Sequence, residues 1–291
     1  MKSEAIRSDT PAQRRLRPLQ ALVTVFQYLV LTIGLVIFLF PFYHMVIGSF
    51  KGVNEIMTTK LALLPKVWMF SNLNQLFHRL PFERNLLNSA IVAASSTALS
   101  LFLCSLAGFT FAKLRFPGRD ALLLVLVSTM MIPFQVSLVP LFVIMNRLNW
   151  LDTFWPLIVP GAASAFGIFL MRQYATAIPD DLIDAARIDG CSDFRIFWNV
   201  AVPILKPGLT VVGMIFFMSS WNDFLWPLIV LKRMEMYTVP VALAALQGLG
   251  YVVPFGVMLA GATIGALPLA ILFLVFQRWF VSGILAGAIK G

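Results

Sequence analysis

The sequence predicts an all-α polytopic membrane protein with six transmembrane helices, and three observations support this fold class. Apolar residues fill 59% of the 291 positions and charged residues only 12%, whereas soluble domains carry about a quarter charged residues. Six apolar stretches reach the length of about 20 residues that a helix needs to cross the hydrocarbon core. No stretch alternates apolar and polar residues with the period of a strand. We therefore expect helices, which satisfy their own backbone hydrogen bonds in lipid.

The predicted spans divide the chain into a membrane domain and two short tails. The six stretches cover approximately 21–47, 86–112, 121–145, 153–173, 204–231 and 255–280. They define a transmembrane domain over 21–280, an N-terminal tail over 1–20 and a C-terminal tail over 281–291. The first stretch continues to about Ile47 with no small-residue cleavage pattern behind it. This indicates a retained span rather than a secretory signal peptide.

The distribution of Lys and Arg predicts the orientation. An even number of spans places both termini on one side of the membrane, together with the segment 174–203. Lys and Arg are more numerous on that side than on the other, and such an excess is typical of cytoplasmic loops. We therefore expect both termini and the segment 174–203 in the cytoplasm. The same rule accounts for the net charge of +9, so this charge does not indicate nucleic-acid binding.

Four prolines lie inside the predicted spans: Pro133, Pro140, Pro227 and Pro268. Each removes a backbone donor and tends to kink a helix. Such breaks are tolerated in membranes where protein or a water-filled cavity covers them. The sequence leaves open whether these kinks have a functional role or only help the helices to pack.

The segment 174–203 is unusually acidic for this chain. It holds five of the 13 acidic residues, namely Asp180, Asp181, Asp184, Asp189 and Asp193. Pro179 and Asp180 predict the start of a helix, and Gly190 predicts a left-handed end. The apolar side of this helix is expected to consist of Leu182, Ile183, Ala186 and Ile188.

A second surface helix is predicted to follow, capped by Ser192 or Asp193. Its shared face would consist of Phe194, Phe197, Trp198 and Ala201. Two interpretations remain: a connector with solvated charges, or a docking element for another protein. A length of about 30 residues exceeds what a connection between helices needs, which favours docking. Ala185 and Ala186 would allow a partner to approach the backbone closely, and the aspartates would bind its basic groups.

The residues DAARIDGC, followed after a gap by VAVPILKPGL, resemble the cytoplasmic coupling motif of ABC-importer permeases. The resemblance extends over nearly the whole chain through AGFTFAKLRFPGRD, MMIPFQVSLVPLF, ASAFGIFLMRQY, SSWNDFLWPLIVL and FQRWFVSGILAGAIKG. These segments are similar to the carbohydrate-importer branch, and within it to the smaller permease subunits of maltose transporters. One departure is Asp184, which stands where the motif usually has glutamate and is one methylene shorter.

The resemblance implies a type I importer permease of the bacterial inner membrane. It implies four partners: a second and different permease chain, two cytoplasmic ATPase subunits, an extracytoplasmic solute-binding protein and a carbohydrate substrate. Membrane lipid surrounds such a subunit, and no nucleic acid is involved. The ATPase-coupling residues that it implies are Asp184, Ala185, Ala186, Asp189 and Gly190.

The sequence itself indicates that energy comes from another chain. It has no G-x-x-x-x-G-K-[ST] loop to cradle ATP phosphates. The two cysteines and two histidines show no metal-ligand spacing, and no Ser/His/Asp set is evident. We therefore expect no enzymatic activity, cofactor or metal in this chain, and ATP hydrolysis on a separate subunit.

Polar and aromatic residues in predicted span five are candidates for the substrate pathway or a gate. They are Trp221, Asn222, Asp223 and Trp226, joined more weakly by Gln135 after Pro133 in span three. An acidic residue inside a span is costly and is therefore a functional candidate. Asp223 would either hydrogen-bond a sugar hydroxyl or pair with another residue near the outer gate. The alternative function is an ion-coupled secondary transporter, but that class usually shows internal repeats and several acidic residues within its spans.

Overall fold

The structure is a computed structural model that describes the backbone of residues 11–58, 62–248 and 255–288. Side chains are described for residues 22–58, 62–247 and 255–277. The described residues form helices and no strand, which confirms the predicted all-α class.

Fourteen α-helices follow one another along the described chain. They are α1 Pro11–Gly48, α2 Val53–Ile56, α3 Ser71–Arg79, α4 Phe82–Lys113, α5 Arg119–Ser128, α6 Phe134–Arg147, α7 Trp155–Ile158, α8 Ala165–Thr176, α9 Asp180–Ile188, α10 Asp193–Ile196, α11 Val202–Trp221, α12 Leu225–Val230, α13 Val239–Gly248 and α14 Phe255–Ala288. Short 3₁₀ turns occupy Thr129–Met131 and Met234–Met236, and a π-turn occupies Phe197–Ala201.

Four described helices are long and apolar enough to cross a membrane. They cover Leu22–Gly48, Phe82–Lys113, Asp193–Trp221 and Phe255–Gln277, and they correspond to predicted spans one, two, five and six. Span three is a helix pair, Arg119–Met131 and Phe134–Arg147, bent by 98°. The described residues therefore contain four such spans, or five if the bent pair counts as one. The sixth span and the cytoplasmic position of both termini stay predictions.

The predicted span over 121–145 is broken at Pro133, one of the prolines at which the sequence predicts a kink. Pro133 stands in the break with an extended backbone (φ −59°, ψ 134°) and serves as the N-cap of α6. Proline lacks a backbone N–H, and it pushes the residue before it out of the helical region. Ile132 is accordingly extended, so the two halves of the pair diverge.

Predicted span four is also interrupted. The range 153–173 folds as the four-residue helix α7 and the 12-residue helix α8. A 12-residue helix is about 18 Å long, shorter than the hydrocarbon core of about 30 Å. Ser164 is the N-cap of α8, and its side chain accepts a hydrogen bond from the Gly167 N–H. This cap marks the start of a separate helix inside predicted span four.

Helix α4 lies at the centre of the bundle and packs against α8 and α11. Gly108 makes the close contact between α4 and α8 possible, because a Cβ atom there would lie 2.7 Å from Met171 Cβ and from the Arg172 backbone nitrogen. One buried cluster joins the C-terminal end of α4 to α8, α9 and α11. A second cluster joins its N-terminal end to α3, α13 and α14.

The outer faces of the bundle are apolar, as expected of a protein surrounded by lipid. Residues 22–42 of α1 are exposed, and they include Leu22, Phe26 and Phe38. Helix α5 also presents Leu122, Leu124 and Val125 outward. Exposed apolar surface of this extent is rare on soluble monomers, so the described helices have the surface of a multi-pass membrane protein.

Candidate functional site

The acidic segment forms the predicted helix α9. It starts at Asp180 after Pro179 (φ −60°, ψ 134°), with Asp180 and Asp181 in its first turn and Arg187 in its last. This charge order suits the helix dipole, which favours anions at the N-terminus and cations at the C-terminus. Gly190 follows with φ +79°, a left-handed conformation that glycine adopts without strain. Both predicted ends of the helix are thereby confirmed.

The apolar residues of α9 point in two directions rather than along one side. Ile183 is 2% exposed, and with Ala186 it belongs to the buried cluster that contains Phe197 and Met171. Ile188 is 87% exposed, and Leu182 is also exposed. The expected single apolar side is therefore wrong. Since Ala186 is buried within the chain, it stabilises the position of α9 and is not open to a partner in this conformation.

The segment after Gly190 is not a separate surface helix, and that expectation is wrong. Ser192 precedes α10 as its N-cap, without a side-chain hydrogen bond. The helix then continues through the π-turn Phe197–Ala201 into α11, so residues Asp193–Trp221 form one helix of 29 residues. Pro203 lacks an N–H and therefore cannot donate to the carbonyl of Asn199. The π-turn replaces α-helical geometry just before this proline.

The predicted shared face of this segment also divides. Phe197 and Ala201 are buried in the cluster beneath α9, whereas Phe194 and Trp198 are exposed. The surface around α9 thus carries apolar side chains on both sides of the turn at Gly190. We name the exposed residues Leu182, Asp184, Ile188, Asp189, Phe194 and Trp198 the α9 surface.

Acidic side chains remain exposed on the α9 surface. Asp184 lies 3.5 Å from Arg187, which also lies 3.4 Å from Asp193. All three side chains are largely exposed, and exposed ion pairs contribute little to stability. Asp189 forms the C-cap of α9 and makes no ion pair with any described cation. The coupling residues expected from the sequence thus include four exposed positions, Asp184, Ala185, Asp189 and Gly190.

Lys113 anchors the start of α9, and sequence reasoning missed this role. Its side chain is 5% exposed, and its Nζ donates to the Ile178 carbonyl at 2.5 Å and to Asp180 Oδ1 at 2.6 Å. A longer contact of 3.4 Å reaches the Thr176 carbonyl at the end of α8. The hydrogen bond and the charge of Lys113 lower the pKa of the Asp180 carboxyl. The feature of the sequence that could have indicated this role is the position of Lys113 directly at the end of an apolar span, in the segment AGFTFAKL.

The two candidate tryptophans are buried and have structural partners. Trp221 stacks on Phe217 with ring centroids 5.8 Å apart, and its Nε1 donates to the Gly265 carbonyl at 3.0 Å. Trp226 Nε1 donates to the Pro156 carbonyl at 2.8 Å. A buried indole N–H normally has such a partner. In this conformation neither ring presents a free face of a shared sugar site.

Asn222 and Asp223 lie in a break between helices. α11 ends at Trp221 and α12 starts at Leu225, so predicted span five, 204–231, is interrupted at 222–224, shortly before Pro227. Asn222 does not share a helix face with Trp226, because they belong to different helices; its Nδ2 donates to the Met218 carbonyl at 2.9 Å. The Asp223 carboxylate lies beside the backbone N–H groups of Phe224 and Trp226. Asp223 thus directly precedes Phe224, the N-cap of α12, at the N-terminal end of that helix.

Gln135 is exposed in the first turn of α6. Its neighbour Phe134 packs edge-on against Trp226, with centroids 6.2 Å apart. The start of α6 therefore lies beside α12. The bend at Pro133 brings the vicinity of Gln135 close to the segment after α11, although the two were chosen from different predicted spans.

A second polar connection, also missed from the sequence, joins the loop before α7 to the loop after α12. Asp152 has a left-handed backbone (φ +59°), and its carboxylate accepts from the Lys232 N–H, the Arg233 N–H and Arg233 Nε. Its own N–H donates to the Val230 carbonyl at 2.8 Å. Burial raises the pKa of Asp152, but these hydrogen bonds and the Arg233 charge outweigh it and lower the pKa overall. We name this arrangement the Asp152 clamp.

Comparisons with known proteins agree with this architecture. Residues 100–286 match the family described as "Binding-protein-dependent transport system inner membrane component". The chain is 36% identical over 262 residues to the arabinooligosaccharides transport system permease protein AraQ of Bacillus subtilis, covering 88% of this chain and 92% of AraQ. It is 34% identical to the lactose transport system permease protein LacG of Rhizobium radiobacter, covering 91% and 96% of the two chains.

The fold is shared with a solved transporter. A chain from the crystal structure of a bacterial ABC transporter involved in the import of alginate matches with a TM-score of 0.77 and 24% identity, covering 94% of this chain and 99% of that one. These findings confirm the predicted family and a multi-pass location in the inner membrane. The chain therefore belongs to the family of inner membrane components of binding-protein-dependent transport systems.

Proposed function

We propose that this chain is a permease subunit of an ATP-driven carbohydrate importer. It would form half of the translocation pathway with a second permease chain and couple to two cytoplasmic ATPase subunits through the segment containing DAARIDG. An extracytoplasmic solute-binding protein would deliver the substrate, as the family description implies. The names of AraQ and LacG favour an oligosaccharide or disaccharide as the transported class.

The α9 surface carries the proposal. It combines exposed apolar side chains, among them Ile188, with exposed carboxylates. An exposed apolar patch rimmed by polar groups is typical of a protein interaction site. Burying apolar area contributes about 25 cal/mol per Å², while the carboxylates suit basic groups on a partner. An ATPase subunit with an apolar cleft and basic rim would cover this surface.

The underside of α9 would connect that partner to the membrane helices. Ile183 and Ala186 pack in the same buried cluster as residues of α4, α8 and α11. The chain also continues from Gly190 into the single helix Asp193–Trp221. That helix is about 43 Å long at 1.5 Å per residue. A displacement of α9 by a closing ATPase would therefore reach the other end of the bundle through packed side chains and one continuous helix.

The experiment is site-specific photo-crosslinking in native membranes. A photoreactive amino acid at Ile188 is expected to crosslink to an ATPase subunit. The same group at Leu124, an exposed apolar residue on α5, is the matched control and should label lipid instead. Absence of an ATPase crosslink from Ile188 in a transport-active complex would contradict the proposed coupling surface.

Uptake measurements test the energy source. Transport of the sugar should stop when cellular ATP is depleted at constant membrane potential, and it should continue when an uncoupler is added while ATP is maintained. The opposite pattern would support an ion-coupled secondary transporter. In that case the crosslinking experiment would still report independently on whether the α9 surface contacts an ATPase.

A further inference from the structure

A charged cavity lies where the end of α4, the start of α5 and α9 meet. Its volume is about 540 Å³, within the range of sites that hold small ligands. The charged residues that line it are Lys113, Arg115, Arg119 and Arg187, with Asp180 and Asp184. Four cations against two carboxylates give the lining a net positive charge.

Two of the four cations are already paired within the cavity wall. Lys113 is bonded to Asp180, and Arg187 lies between Asp184 and Asp193. These contacts neutralise much of the charge of both cations. They also connect the cavity wall to the start and to the last turn of α9.

The other two cations remain available to a ligand. Arg115 makes no ion pair with any described acidic residue. Arg119 pairs with Asp120 at 3.1 Å, but the Asp120 side chain is 81% exposed, and such pairs are weak. Both arginines also line an adjoining cavity of about 360 Å³. Their guanidinium groups can therefore be approached from two sides.

The position along the helices identifies the environment of these arginines. α4 ends at Lys113 and α5 begins at Arg119, so the turn between them lies where two helices leave an apolar layer. Within the next two turns of α5, Leu122, Leu124 and Val125 are exposed, as expected of lipid-facing residues. Arg115 and Arg119 are thus placed at the level of lipid headgroups, beside the region occupied by acyl chains.

We infer that Arg115 and Arg119 form a binding site for the phosphate group of an anionic phospholipid, at the end of the bundle that carries α9. The planar guanidinium group donates two parallel hydrogen bonds to phosphate oxygens, and basic pockets at the cytoplasmic membrane surface attract anionic headgroups. Free phosphate has the same chemistry at the arginines. The adjoining apolar face of α5 favours the lipid, because it also accommodates the acyl chains.

A lipid in this cavity would touch the segment that the proposed function uses for coupling. Asp184 and Arg187 of α9 line the same cavity, so a bound headgroup would lie between α9 and the α4–α5 turn. The site would make the position of α9 sensitive to the content of anionic lipid in the membrane. The binding site itself does not depend on the proposed function, because its residues all belong to this chain.

Electron spin resonance on the full-length chain in phosphatidylcholine vesicles tests the site. Trace spin-labelled phosphatidylglycerol or phosphatidylcholine reports the fraction of lipid immobilised by the protein. The wild-type chain is expected to immobilise more phosphatidylglycerol than phosphatidylcholine, and the double variant Arg115→Gln/Arg119→Gln should reduce that excess several-fold. The variant Arg115→Lys/Arg119→Lys, which keeps charge without the planar fork, should lie between the two.

The matched control is Arg84→Gln. Arg84 is an exposed arginine in the first turn of α4, about 44 Å along the helix from Lys113 at 1.5 Å per residue. Its variant should keep the lipid preference. If the double variant does not insert as a helical protein, the single variant Arg115→Gln replaces it, because Arg115 makes no ion pair with an acidic residue in the part of the chain that the structure describes. The site would be overturned if Arg115→Gln/Arg119→Gln, or Arg115→Gln in its place, kept the wild-type preference for phosphatidylglycerol. It would also be overturned if Arg84→Gln lost as much of this preference.

A phosphate titration separates the two sources of the same chemistry. The preference for phosphatidylglycerol should persist when millimolar inorganic phosphate replaces chloride at constant ionic strength. If the preference for phosphatidylglycerol were lost in phosphate but not in chloride, the lipid assignment would be overturned, and the arginines would be assigned to binding a soluble anion. A wild-type chain with no preference in either buffer would also overturn the proposal.

Discussion

Replacing Lys113 by methionine should loosen α9 while leaving the membrane helices intact. Methionine keeps an apolar stem of similar length in a site where the lysine side chain is only 5% exposed. The change removes the ammonium group that donates to the Ile178 carbonyl at 2.5 Å and to the Thr176 carbonyl at 3.4 Å. A hydrogen bond from a charged donor contributes about 1.5–3 kcal/mol. The contact with Asp180 adds little, because that carboxylate is 78% exposed.

Hydrogen exchange measures this loss directly. If opening of α9 becomes easier by about 1.5–3 kcal/mol, the amides of Asp184 to Ile188 should exchange roughly 10- to 100-fold faster, since each 1.4 kcal/mol is tenfold. Sugar uptake should fall, while the amount of protein in the membrane stays the same. Exchange in the middle of α4 should not change.

Asp180→Asn is the control for this reasoning. It removes the ion pair but leaves Lys113 bonded to the two carbonyl groups, so exchange in α9 should change by less than about threefold. The anchoring role would be refuted if Lys113→Met left exchange of α9 within twofold of wild type. An equal effect of both variants would show that the ion pair, and not the carbonyl contacts, holds the helix.

Four further predictions concern other features of the chain. Gly190→Pro should abolish coupled transport, because proline holds φ near −65° where the chain requires +79°. Asp184→Lys should weaken coupling, because it reverses an exposed charge. Wild-type uptake by both variants would exclude this loop from coupling. Asp223→Ala should lower uptake without loss of ATPase binding, because it removes the carboxylate beside the first N–H groups of α12. Asp223→Asn should keep most activity, since its side-chain oxygen can still accept from these groups. Identical uptake by the two variants would contradict this role. Asp152→Asn should weaken the Asp152 clamp on the loop after α12. In wild type, the stability that the clamp contributes should be fully present above the ordinary aspartate pKa of about 3.9 and be lost as the pH falls through the lowered pKa of the folded state. Hydrogen exchange of amides 232–236, corrected for intrinsic rates, checks both expectations, and a wild-type pH profile that matches that of Asp152→Asn would count against the clamp. The purified chain alone should not hydrolyse ATP, since it has no phosphate-binding loop. Hydrolysis by rigorously pure protein would contradict the expectation that ATP is hydrolysed on a separate subunit.

Local signals in the sequence predicted the features that depend on neighbouring residues. Apolar length predicted the four long helices, because hydrophobicity over about 20 residues is what the bilayer selects. Pro179 and Gly190 predicted the ends of α9 for equally local reasons: proline is rarely tolerated inside a helix, and glycine adopts positive φ. The family resemblance was likewise based on short segments of the sequence, such as DAARIDGC, and on their spacing.

The features that the sequence did not predict depend on contacts between distant residues. Lys113 meets Ile178 across 65 positions, and Asp152 meets Arg233 across 81; neither pairing leaves a periodic pattern. The division of apolar residues in α9 has the same origin, because periodicity does not tell which neighbour will bury Ile183 and leave Ile188 exposed. Similarly, Pro133 predicted a kink, but its angle of 98° depends on the elements packed around the break.

The π-turn at Phe197–Ala201 has a consequence for how this protein tolerates changes in length. A π-turn holds one residue more than an α-turn, and each residue in an α-helix adds about 100° of rotation and 1.5 Å of rise. Deleting one residue within Phe197–Ala201 would convert the turn to α geometry and leave the flanking segments facing their present neighbours. The same deletion farther along α11 would rotate everything beyond it by about 100°, taking Trp221 away from the Gly265 carbonyl. Homologues that differ by a single residue in this helix should therefore carry the difference at this turn.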